Sequence, residues 1–182
     1  MRGLLLDGVC FDAYTSIMAT LRTNEIHGLC EQVASECSCE GLRQASRAIS
    51  KLYEAGYAHL DLTATQFAIL VAVHLHVRAP LSRLAERLVL DRTSLYRAVK
   101  PLVRRKALAI QPGRDRRERV AVLTPTGQRL LAEAIPIWKA TQDRFGSAVG
   151  PAARVALRSQ IAGVIPAVQA LLPDDSLQSP TE

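Results

Sequence analysis

Residues 81–124 carry two apolar stripes at helical spacing, a two-residue break between them, and then two short apolar runs around a turn loaded with charge. Leu81, Leu84, Ala85 and Leu88 form the first stripe, behind a proline (Pro80) placed where a first helical turn tolerates one. After Val89 and Leu90, either Asp91 or Thr93 can cap a second helix that turns Leu95, Val99 and Leu102 inward. Pro101 removes one backbone hydrogen bond and predicts a kink near that helix's end. Ala107–Ile110 and Val120–Leu123 then read as strands, with Pro112-Gly113 opening the turn. Two helices this short cannot cover each other alone. The segment after Thr63 supplies the third partner, with Phe67, Ile69, Leu70, Val71 and Val73 around most of a helix, the pattern of a buried one.

Helix, turn, helix and basic hairpin is the order of a winged helix-turn-helix. The expected fold class is therefore mainly α (α+β), with a two-stranded β wing. The remaining residues predict helices at both ends. Over 41–58, Leu42, Ala45, Ile49, Leu52 and Tyr53 recur at helical spacing, and Thr124-Pro125 reads as a cap followed by a first-turn proline. That helix carries Leu130, Leu131, Ala134, Ile137 and Trp138, and a last one runs over Ala152–Leu172. The expected organisation is an N-terminal extension, partly ordered, over 1–40; a helical region over 41–60 and 125–172; the winged helix-turn-helix domain over 61–124; and a polar tail over 173–182. With 48% hydrophobic residues in 182, the terminal helices have more apolar surface than a monomer this size buries, which points to a second copy.

Charge is concentrated in the middle. From Arg83 to Arg119 there are twelve Lys/Arg against four acids, a net +8 in a chain of net +6. Such a stretch marks a surface for double-stranded DNA. On the second helix Arg92, Thr93, Ser94, Tyr96, Arg97 and Lys100 remain for the outer faces, where a major groove admits an α-helix. At the hairpin tip Arg114, Asp115, Arg116 and Arg117 combine cations for a narrow minor groove with a carboxylate two residues before an arginine, placed to hold its guanidinium. No nucleophile–base–acid set, phosphate-cradling glycine loop or metalloprotease motif accompanies them, so an enzyme is not expected.

The stretches "LTATQFAIL", "LAERLVLDRTSLYRAVKPLVRR" and "GRDRRERVAVLTPTGQRLL" resemble the MarR (multiple-antibiotic-resistance regulator) family of bacterial transcription factors. Its wing signature of Asp-x-Arg, strand residues and Leu-Thr-x-x-Gly is met by Asp115 to Arg117, Leu123-Thr124 and Gly127. The resemblance implies a homodimer with interlocked terminal helices, and two recognition helices set about one DNA turn apart on a pseudo-palindromic operator. It further implies repression relieved by a small molecule, such as an aromatic carboxylate. No apolar run in the sequence reaches the length needed to cross a bilayer, so a cytoplasmic protein with no membrane contact is expected. Pro101 in the recognition helix departs from the family. An architectural DNA-binding protein or adaptor with no effector is the alternative.

Candidate effector groups are Arg43, Arg47 and His74. The segment "CEQVASECSCE" admits three readings. A branch of the same family, the organic-hydroperoxide repressors, senses oxidant with a cysteine bonded by a tyrosine fourteen residues on. Cys39 and Tyr53 have that spacing, and Cys37 is a possible resolving thiol. A zinc-responsive site would take His27, Cys30, Cys37 and Cys39, although residues i and i+2 diverge on a helix. The third reading is small apolar filling at an interface. Apart from that zinc, no cofactor is expected. Met18 is an alternative start.

Overall fold

A computed structural model describes residues 23–115 and 118–171. The outer parts of the expected extension and tail, Met18 among them, lie outside the described residues. The chain divides into two compact units, Met1–Ile49 and Ser50–Glu182.

In the first unit, α1 (Thr23–Glu36) precedes α2 (Ser38–Tyr57), which continues into the second. Part of the expected extension is therefore helical, and α2 starts three residues before its predicted beginning. Ile26, Leu29 and Val33 of α1 do recur at helical spacing, but Gly28 among them weakens the signal by about 1 kcal/mol of propensity. Cys37 sits at the break between the helices. Its N–H donates to the Val33 carbonyl (3.1 Å) and its own carbonyl accepts from Gly41 N (3.0 Å), so helical bonding bridges the break.

The second unit is built on α3 (Ala64–His76). Thr63 caps it with a reciprocal pair: Thr63 Oγ1 accepts from Gln66 N, and Gln66 Oε1 accepts from Thr63 N, both at 3.1 Å. β1 (Ala79–Pro80), α4 (Leu81–Leu88) and α5 (Arg92–Arg104) follow, then β2 (Leu108–Pro112), β3 (Arg119–Leu123), α6 (Pro125–Val149) and α7 (Pro151–Gln169). The sheet is antiparallel in the order β1-β3-β2, with Ala79 opposite Ala121 and Leu108 opposite Leu123. Two strands were expected. The third, β1, is two residues long and shows no alternation from which a sequence reading can find it. Helix α5 continues through Pro101 to Arg104.

Ile69, Leu70 and Val73 of α3 are fully buried at the centre of the core, with Leu84 from α4, Leu95 and Leu102 from α5 and Leu108 from β2. Burying each large side chain contributes about 1.5–3 kcal/mol, and this positions the helix pair α4–α5. Gly56 brings α2 onto α6, since a Cβ there would stand 3.0 Å from both Ile137 Cγ2 and Thr141 Oγ1. Tyr57 packs its ring on Phe67, centroids 5.1 Å apart, and is 1% exposed. Among the described residues its hydroxyl has no hydrogen-bond partner. Burial, and then the neighbouring Tyr53, push that phenol far above its ordinary range. An unsatisfied buried hydroxyl costs about 1–3 kcal/mol. Tyr57→Phe is therefore expected to leave stability unchanged or raise it by about 1 kcal/mol in urea melts. A loss of more than 1 kcal/mol would reveal a partner for the hydroxyl.

Among the described residues no single helix is long and apolar enough to cross a membrane.

Candidate nucleic-acid interface

Of the two cap candidates, Asp91 starts α5. Its Oδ1 accepts from Ser94 N at 2.8 Å, and its Oδ2 accepts from the Ser94 hydroxyl at 2.6 Å. The hydroxyl bond first, then the backbone bonds, hold the Asp91 carboxyl below its usual value. Ser94 is half-buried and engaged by this cap, so it supports the helix start and does not stand open to a groove. Arg92, Thr93, Tyr96, Arg97 and Lys100 are exposed, while Leu95, Val99 and Leu102 point into the core. The Arg92 guanidinium lies over the Tyr96 ring, 5.8 Å from its centroid, which organises the first turn. Before the helix, Val89 takes a left-handed conformation (φ 51°, ψ 46°), an uncommon place for a β-branched residue. The helix's far end is tied down by a contact the sequence did not signal: Arg105 donates to the carbonyls of Leu60 (2.9 Å) and Asp61 (2.8 Å).

Beside α5 stands the wing of β2 and β3. Gly113 N donates to the Glu118 carbonyl (3.0 Å), Glu118 N to the Asp115 carbonyl (3.0 Å), and Arg114 N to the Glu118 carboxylate (2.9 Å). Glu118 thus shapes the turn. It counts in the sequence only as one acid among cations, and backbone partners leave no spacing signature. The Glu118 carboxylate packs directly over Gly113, where a Cβ would fall 1.9 Å from Oε2, so a side chain there would have to displace it. Arg114 and Asp115 are exposed at the tip. Arg116 and Arg117 lie outside the described residues. Arg78, absent from the expected set, donates to Gln111 Oε1 (2.8 Å) and to the Pro112 carbonyl (3.2 Å), bracing β2 where the wing loop begins. A cleft of about 510 Å³ separates recognition helix from wing, lined by Ser82, Arg92, Tyr96, Glu118 and Arg119. The arrangement offers a row of cations and donors on a rigid helix, with a second cationic element alongside.

The sensing candidates are less gathered. Cys39 is exposed in the first turn of α2 and Cys37 is half-buried. The Tyr53 hydroxyl donates to Gln142 Oε1, and burial pushes the phenol up. Arg47 pairs with Glu40 at 2.8 Å, Arg43 and His74 are exposed, and none of the three lines a described cleft. His27 contacts Glu31 at 3.3 Å on α1. Among the described residues no three His, Cys, Asp or Glu side chains are placed to hold a metal ion, so His27, Cys30, Cys37 and Cys39 are not brought together as a zinc set. The reason is local: α1 and α2 are helical on either side of Cys37, and helical bonding continues across it.

No protein-family model matches the chain, and no curated protein matches it in sequence. Solved structures do. The transcriptional regulator MosR of M. tuberculosis, in complex with DNA, is 30% identical with a TM-score of 0.68, covering 76% of this chain and 100% of its own. BpsR of Bordetella bronchiseptica, whose DNA binding is regulated by 6-hydroxynicotinic acid, is 25% identical with a TM-score of 0.64, over 71% of this chain and 98% of its own. A single-site mutant of MarR of E. coli, complexed with operator DNA, is 18% identical and shares the fold, with a TM-score of 0.66 over 74% and 97% of the two chains.

Proposed function

The chain belongs to the MarR family of winged helix-turn-helix transcriptional regulators, and from that premise we propose that it is a homodimeric repressor, released from its operator by a small molecule. The observation that carries DNA binding is the exposed row Arg92, Arg97 and Lys100 on α5 beside the wing, in a chain 30% identical to a regulator solved on DNA. In this reading the wing cations Arg114, Arg116 and Arg117 serve the adjacent minor groove. Support for a dimer comes from α7, which buries no residue and leaves Ile161, Val164, Ile165 and Val168 40–48% exposed along one stripe. An apolar stripe of that length is covered by another helix in a stable protein.

A second reading, release by thiol oxidation, is favoured by Cys37 at the α1–α2 break and Cys39 exposed in the first turn of α2. A hydroperoxide would oxidise the Cys39 thiolate to a sulfenic acid, itself reduced to an alcohol. Condensation with the Cys37 thiol would release water and form the disulfide once the helical bonds that span Cys37 had opened, a change passed on to α2.

One gel-shift series tests both readings, using DNA from upstream of the protein's own coding sequence. The wild type is expected to bind as a dimer, with an affinity that falls steeply as salt rises. Salt-independent binding, or a monomer in the complex by ultracentrifugation, would overturn the repressor reading. Cumene hydroperoxide should release the DNA from wild type and not from Cys39→Ser. Equal responses would remove the thiol mechanism.

A further inference from the structure

Among the described residues nothing buries helix α1. Every residue from Glu25 to Glu36 is exposed, and Ile26, Leu29 and Val33 make an apolar stripe that is 45–62% exposed. An isolated helix of 14 residues is marginal in water, and Gly28 weakens this one further. Such a helix is stable where packing covers its apolar face. α1 also ends before Cys39, the first residue on which the family resemblance rests. MosR is matched over 100% of its own length yet covers 76% of this chain, so this chain carries segments that MosR lacks.

Charge complements the two unpartnered helices. α1 carries Glu25, Glu31 and Glu36 and no Lys or Arg, whereas α7 carries Arg154 and Arg158 and no Asp or Glu. A second α7 offers α7 no counter-charge, and α1 does. Arg154 and Arg158 border a cleft of about 210 Å³ with Trp138, Gln142 and Val155, and no carboxylate lines it. Glu36 accepts from Gln32 Nε2 at 3.0 Å, but neither Glu36 nor Arg158 has an ion-pair partner among the described residues.

Spacing then selects an orientation. The stripes Ile26–Val33 and Ile161–Val168 advance equally along their helices, by about 10 Å each. Laid antiparallel, Ile26 meets Val168, Leu29 meets Ile165 and Val33 meets Ile161. Glu36, three residues past Val33, then comes opposite Arg158, three residues before Ile161. Laid parallel, the same stripes set Glu36 beside Leu171 and Arg158 beside Thr23, and the ion pair is lost. We propose that α1 of one copy packs antiparallel on α7 of a second copy, with Glu36 paired to Arg158 across the interface. A two-fold axis makes this contact twice, so both apolar stripes of both copies are covered. The contact rests on the dimer reading above and supplies the helix that covers α7.

The test is charge reversal in the full chain, read by sedimentation equilibrium and native mass spectrometry. Glu36→Arg and Arg158→Glu each set like charges opposite one another in their homodimers. Each should raise the dimer dissociation constant about fivefold over wild type. Mixed in equal amounts, the two variants should regain wild-type dimerisation, because a dimer of one with the other has an ion pair at both contacts. The mixed dimer should then exceed the half share that random assortment gives. Both positions are exposed, so the fold should be unchanged. Leu29→Lys with Ile165→Glu supplies a second complementary pair should either reversal fail to fold. Variants that dimerise like wild type, or a mixed dimer at the random share, would overturn the contact and leave the dimer reading standing. Recovery only when both reversals sit in one chain would place α1 on its own α7 and overturn it equally. A monomeric wild type would sink the dimer reading and this contact together.

Discussion

Gly127→Ala is expected to destabilise the protein by about 3 kcal/mol or more, the upper end of what overpacking costs. Gly127 lies in the first turn of α6, and a Cβ there would fall 2.0 Å from the Ala107 carbonyl oxygen and 2.9 Å from its carbon. Both are backbone atoms, so no side chain can swing aside. The same carbonyl accepts from Thr124 N and Thr124 Oγ1, each at 3.2 Å, while Thr124 Oγ1 also reaches the Lys106 carbonyl at 2.5 Å and accepts from Gly127 N at 3.1 Å. A methyl group forces this clasp open, separating α6 from the start of β2. Domains of this size are stable by only about 5–15 kcal/mol, so the loss is a large share of the total. Urea denaturation of purified variants gives the answer. A cost below about 1 kcal/mol would mean that the backbone yields and that the close approach is not structural.

Arg97→Ala is expected to weaken specific DNA binding by about 1–3 kcal/mol while leaving the fold and the oligomeric state unchanged. Arg97 is exposed on α5 while its neighbours Leu95 and Val99 are buried, so the substitution removes a surface donor without opening the core. Discrimination between operator and unrelated DNA should shrink with it. Lys100→Ala, one turn further on, should behave differently. As a phosphate contact it should lower affinity on every sequence alike and reduce the slope of log K against log salt by about one. Anisotropy titrations at several salt concentrations separate the two. If Arg97→Ala keeps wild-type affinity and preference, α5 is not the element that reads bases.

Periodicity alone located the helices of the DNA-binding lobe. Leu81, Leu84, Leu95, Val99 and Leu102 were legible because a helix that buries one face must repeat apolar residues every three or four positions, and each is buried. The caps Thr63 and Thr124 were legible because few side chains can satisfy an orphan N–H of the first turn, and the structure chose Asp91 over Thr93 for the third. The short β1 and the α1 helix were not. A two-residue strand has no period, and a single stripe broken by glycine reads as weakly as a loop.

The candidate site divides in the same way. Arg92, Thr93, Tyr96, Arg97 and Lys100 follow from subtracting the buried stripe of α5 from its sequence, since residues that do not face the core face outward. Ser94 passed the same subtraction, yet the structure gives its hydroxyl to Asp91. Glu118, Arg105 and Arg78 act through backbone carbonyls or amides, or through Gln111, far away in the chain, and such contacts leave no spacing pattern.

The sequence by itself determined the buried stripes of the helices between Ala64 and Arg104, the cap and first-turn proline of α6, and that the cations concentrate between the third helix and the wing. These are local consequences of side-chain period, cap chemistry and charge. Only the tertiary structure decided that Gly127 must have no side chain, that Glu118 closes the wing turn, and that Arg78 braces β2 where the wing loop begins. Each of these depends on atoms brought within a few ångströms by packing, across five to thirty-four residues of chain.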